Sequence, residues 1–131
     1  DDHGGRGRFV WTSESNRFGW TAYIGRPPVP EDAPRYAAPA RTSDLAGLPS
    51  AWIGVGELDL FHDEDVAYAD ALRAAGVPCE LEVVPGMYHG AESLFADVPT
   101  ATRLRDAMTQ ALARGLGVDD LADVDGAITT V

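Results

Sequence analysis

The sequence predicts an α/β fold built on a βαβ unit with parallel strands, and three observations carry that expectation. "SAWIGVG" (50–56) is a short continuous apolar run bounded by Pro49 and Gly56, the pattern of a strand buried on both faces. "CELEVV" (79–84) alternates and then finishes apolar, as a second strand would. Between them lies a helical pattern, and strand, helix and strand over about 35 residues make a right-handed crossover unit.

In chain order, the first element is a helix within "FVWTSESNRFGWTAYIGRPP". Ser13 or Ser15 is its expected cap, because a hydroxyl accepts from the exposed N–H groups of a first turn. Asn16, Trp20, Tyr23 and Ile24 fall at helical spacing, which puts the last three on one face. Gly25 and Pro27-Pro28 end it. "VPEDAPRYAAPARTSDLAGLP" is then a connector without sustained period, expected to run over a surface. The central helix, about 63–75, opens with Asp63, Glu64 and Asp65, where the helix dipole favours negative charge. Val66, Ala69 and Leu72 form its apolar stripe, and Gly76 and Pro78 stop it. A last helix, about 99–114, starts at Pro99, a residue that a first helical turn tolerates. Leu104, Met108, Ala111 and Leu112 give it a packing stripe, and Gly115 is its expected stop. The tail 117–131 is acidic and weakly patterned. Its "DVDG" is no calcium loop, since Leu121 would occupy the first ligand position and a closing Glu is lacking.

The composition is that of a globular domain, with 45% hydrophobic residues. A formal charge of −11, with every basic residue an Arg, disfavours nucleic acid and anionic membranes as partners. Cys79 is the single cysteine, so an intrachain disulfide and cysteine-based zinc sites are excluded. Its apolar setting predicts a buried, inert thiol and a reducing, cytoplasmic environment. No apolar run approaches the length of a bilayer span and the start lacks a signal-peptide core. The opening Asp1-Asp2, without Met, is what a sequence entered partway along a longer one would show.

Functional groups of a parallel sheet gather beyond the carboxyl ends of its strands. Asp59 follows the first strand and His89, within "PGMYHG", follows the second, so one rim would present a carboxylate and an imidazole. Such a pair fixes the ring's tautomer and stabilises the cation formed when it takes a proton, which makes the histidine a general base for a nucleophile. A lone Asp after a strand is more commonly a turn residue and a lone His a satisfied surface group, so spacing leaves both readings open.

Three stretches add to this: the opening "DD", "NRFGWTAYIG", and "RYAAPARTSDLAGLPSAWIGVGELDLFHDEDVAYADALRAAGVPCELEVVPGMYHG". Together they resemble the C-terminal portion of the hormone-sensitive-lipase-like esterase and lipase branch of the α/β-hydrolases. That resemblance implies a partial hydrolase domain over 1–116, with 1–48 as cap and connector and 49–116 as the βαβα segment. It assigns Asp59 to the triad acid and His89 to the triad base. Glu57 is the competing acid, and motif position favours Asp59. The chain departs from the family in Leu60-Phe61, where Pro and Leu are common, in His62 for Arg, and in "HGAES" for the frequent His-Gly-Phe. These changes bear on substrate choice more than on the triad. The family's Gly-x-Ser-x-Gly elbow and His-Gly-Gly-Gly loop have no counterpart here. Ser13, Ser15, Ser43, Ser50 and Ser93 sit in neither context, and "HGG" at 3–5 reads as a loop glycine pair.

The remaining candidates follow. His62 beside Asp59, Asp63 and Glu64 suggests no metal, because consecutive residues rarely converge on one ion. Trp11, Phe18, Trp20 and Tyr23 are core or lid aromatics; the resemblance places Trp20 and Tyr23 near a substrate pocket. The reading is therefore the acid-and-histidine segment of a serine carboxylic-ester hydrolase acting on a small ester, with no metal or cofactor, inactive without its nucleophile. The alternatives are a non-catalytic fragment or interaction module, and one half of a split hydrolase. Two parallel strands leave sheet edges open. Pairing with a second copy, with an N-terminal half, or with the chain's own connector is the expected cover.

Overall fold

The structure, a computed structural model, describes residues 4–29, 32, 34 and 36–118. Most of the acidic tail therefore lies outside the described residues, as do His3 and the opening acids. The chain divides into two units, Asp1–Ala91 and Glu92–Val131.

In the first unit, helix α1 spans Ser13–Ile24. Its cap is Thr12, one residue before the expected serines: the Thr12 hydroxyl accepts the Ser15 N–H at 3.2 Å. The residue that keeps extended geometry just ahead of the helix is the one able to cap, and Thr12 has it. Gly25 ends α1 in the left-handed conformation, as expected. The connector forms one 3₁₀ turn, Pro39–Arg41, and then buries Leu45.

Strand β1 (Ala51–Gly56) pairs in parallel with β2 (Cys79–Val84), from Ala51 opposite Cys79 to Gly56 opposite Val84. Helix α2, His62–Ala74, crosses between them and packs on both strands. Its end follows from sequence chemistry. Gly76 adopts the left-handed conformation, its N–H reaches Arg73 O, and the Val77 N–H reaches Leu72 O at 3.0 Å. That wrap brings Val77 onto Leu72, and with Leu45 they form a small core against which Ile53 and Tyr68 pack.

The strands are less enclosed than a doubly covered pair would be. Val55, Gly56 and Val84 are buried, whereas Trp52 and Ile53 are half-buried and Val83 is exposed. Burial is thus concentrated at the carboxyl ends, beside the rim. Cys79 is half-buried rather than enclosed, since it enters β2 at the opposite end.

Helix α3 (Ala91–Leu94) is a single turn after the histidine loop. In the second unit, helix α4 runs Pro99–Leu116. It continues through Gly115, and Gly117 makes the left-handed stop, with the Val118 N–H bonded to Ala113 O at 2.9 Å. A glycine inside a helix costs stability without ending it, whereas the positive φ of the stop requires one. Ala101 and Leu104 are buried, but Met108 and Leu112 are exposed, so the expected stripe is covered only along its first half. Arg105 donates to Ala96 O at 2.8 Å and to Glu92 O at 3.2 Å, holding the approach to α4. No helix among the described residues is long and apolar enough to cross a membrane.

Candidate active site

Because the strands end in register, their exit loops leave side by side. β1 turns at once: the Asp59 N–H bonds Gly56 O at 3.1 Å, and Asp59 Oδ1 accepts the Phe61 N–H at 2.9 Å. This Asx turn starts α2 and orients the carboxylate. The Leu58 N–H donates to Met87 O at 2.8 Å, tying the acid's loop to that of the histidine. Glu57 adds a second tie, its Oε2 accepting the Gly86 N–H at 2.9 Å. From the N-terminal segment Arg6 donates to Glu57 O at 2.9 Å and pairs with Asp63 at 3.1 Å.

The result is a hydrogen bond of 3.0 Å between His89 Nδ1 and Asp59 Oδ2. Asp59 is nearly buried, with its side chain 10% exposed, while that of His89 is 36% exposed. With Nδ1–H directed at a carboxylate, the ring keeps Nε2 as its acceptor. Two aromatic rings lie near it. Phe61 meets the imidazole edge-on, with centroids 5.5 Å apart, and Trp11 lies 6.0 Å away.

Trp20 and Tyr23 differ in what they face. Trp20 lines a groove of about 500 Å³ with Ile24, Pro28, Val29, Leu60 and Phe61. Tyr23 is 69% exposed, stands edge-on to Trp20 at 5.9 Å, and is no part of the groove wall. Asn16, Trp20 and Ile24 follow an i, i+4, i+8 line that faces the groove, and Tyr23 falls off it. Phe61, which sequence patterning passed over, belongs both to the groove and to the histidine's surroundings. Its signal was its place two residues after the acid.

His62 Nδ1 bonds the carboxylate of its neighbour Asp63 at 2.8 Å. Among the described residues no group of three or more His, Cys, Asp or Glu side chains is placed to hold a metal ion. The Asp65 carboxyl is pushed up from 3.8 to about 6. Burial is the main cause, followed by the negative charges of Asp59 and Glu64, with His62 and His89 opposing. A folded value above the unfolded one means that the folded state retains a proton the unfolded state has lost. Stability from this group is therefore fully present below about pH 4 and is lost as pH rises towards and through about 6. Asp65→Asn is expected to raise the melting temperature at pH 7 and to leave it nearly unchanged at pH 4, as thermal unfolding at both values would show.

A family described as alpha/beta hydrolase fold matches residues 2–93. The carboxylesterase NlhH of Mycobacterium tuberculosis (strain ATCC 25618 / H37Rv) is 42% identical over 74 residues, covering 56% of this chain and 23% of that protein. Esterase LipI of the same strain is 38% identical over 79 residues, covering 60% of this chain and 23% of its own length. Among solved structures, esterase LipW from Mycobacterium marinum superposes with a TM-score of 0.70 at 37% identity. That match covers 86% of this chain and 36% of LipW. The chain thus spans about a quarter of the length of the curated relatives it matches.

Proposed function

The chain belongs to the α/β-hydrolase fold family, and from that premise we propose that Asp59 and His89 are the acid and base of a serine carboxylic-ester hydrolase. The observation that carries this reading is the 3.0 Å bond between Asp59 Oδ2 and His89 Nδ1, which leaves Nε2 as the proton acceptor. In the proposed cycle Nε2 takes the proton of a serine hydroxyl as its oxygen attacks the ester carbonyl. The imidazolium so formed is stabilised by Asp59 and returns the proton to the leaving alcohol as the ester C–O bond breaks. Water, deprotonated by the same nitrogen, then releases the acid and regenerates the serine.

None of the five serines in these 131 residues lies in a Gly-x-Ser-x-Gly context. The nucleophile and the donors that stabilise the oxyanion are accordingly assigned to sequence outside them, and the chain alone is expected to be inactive. No metal or cofactor enters this chemistry. The esterase names of NlhH, LipI and LipW support an ester as substrate.

The test compares hydrolysis of a short-chain p-nitrophenyl ester by this chain and by a chimera that carries residues 2–93 of this chain in place of the NlhH segment they resemble. We expect no turnover from the chain, turnover from the chimera, and a loss of about 10⁶-fold in the chimera on His89→Ala. A chimera indifferent to His89→Ala would overturn the assignment. Hydrolysis by the chain itself, abolished by His89→Ala, would place a nucleophile within these residues.

A further inference from the structure

We propose that Phe61 couples the groove to the catalytic imidazole, and that the groove receives a neutral aromatic arm of the ester. This rests on the reading of Asp59 and His89 given above and extends it to substrate class. Phe61 meets the site in three ways. Its N–H holds Asp59 Oδ1 at 2.9 Å, its ring stands against His89 at 73° with centroids 5.5 Å apart, and it lines the groove.

The lining explains the preference. Trp20, Leu60 and Phe61 supply apolar and aromatic surface, and a volume of about 500 Å³ suits a small organic group. The charged lining residues are Arg17, Arg41, Asp32 and Glu64, whose formal charges cancel. Arg41 pairs with Glu64 at 3.8 Å, and Asp32 with Arg26 at 2.7 Å. A ring gains edge or offset contacts with Trp20 and Phe61. Phe61 is thus a positioning residue for His89 and a specificity residue for the bound arm.

The experiment uses the 131-residue chain and benzyl alcohol as a neutral aromatic probe, with NMR of the Trp20 indole N–H and the His89 ring. We expect the probe to shift both signals with one saturation curve. Phe61→Leu, which keeps apolar bulk, should retain the Trp20 response, lose that of His89 and weaken binding about two- to tenfold. Phe61→Tyr should restore both. The inference is overturned by absence of saturable binding, by a Trp20 response without one at His89 in the unmodified chain, or by Phe61→Leu behaving as the parent. Asp59→Asn, read without probe on the His89 tautomer, separates the two levels. An unchanged tautomer would refute the Asp59–His89 reading itself, whereas a changed tautomer with an indifferent Phe61→Leu would refute only the coupling.

Discussion

Asp59→Asn in the NlhH chimera is expected to lower kcat for ester hydrolysis about 10⁴-fold while KM changes little. An asparagine oxygen can still accept the Phe61 N–H, so the turn that starts α2 survives. The atom facing His89 Nδ1 becomes an amide nitrogen, a donor where an acceptor stood. The ring then favours its other tautomer, with the proton on the nitrogen that should receive one, and the imidazolium loses its counter-charge. Because neither effect touches the ground-state ester, the loss belongs in kcat. A fall of less than tenfold would remove Asp59 from the role. Glu57 is a poor replacement, since its carboxylate is already bonded to the Gly86 N–H on the rim.

Gly56→Ala carries the largest expected cost to the fold. A Cβ at this buried strand end would lie 2.6 Å from the Met87 carbonyl carbon and closer still to its oxygen. Both are backbone atoms, so no rotamer change relieves the overlap, and the Met87 carbonyl must move. That carbonyl accepts the Leu58 N–H at 2.8 Å, and Met87 lies two residues before His89. We expect destabilisation of about 3 kcal/mol, as for other overpacked interiors. We also expect an activity loss in the chimera of about 10²-fold at temperatures where it remains folded, because displacements near 1 Å have that effect. Urea unfolding and steady-state kinetics on one preparation check both. A variant of parental stability would show that the two loops are not in the close approach described here.

The architecture was legible wherever a local signal had a local cause. An apolar run stopped by glycine predicted β1, and three acids ahead of an apolar stripe predicted α2. What escaped were features decided by geometry between segments. Thr12 caps α1 in place of Ser13 because backbone conformation, rather than residue type, selects among adjacent hydroxyls. Leu45 joins the core from a connector without periodicity, so no pattern announced it. Helical spacing grouped Tyr23 with Trp20 and Ile24, but Trp20 and Ile24 line the groove and Tyr23 does not. Asp59 and His89 could be named from their strand exits. Their 3.0 Å bond depends on register and on the ties between loops, neither of which is written in any one stretch.

That register acts as a ruler. Gly56 and Val84 end opposite one another, so the reach from carboxylate to imidazole is set by how many rungs each strand climbs. One residue added to β2 alone would slide the histidine loop by about 3.3 Å and turn alternate side chains to the other face. Equal additions of two residues to both strands would carry the whole rim upward with its spacing and facing intact. In-frame length changes should therefore be tolerated in matched pairs and rejected singly.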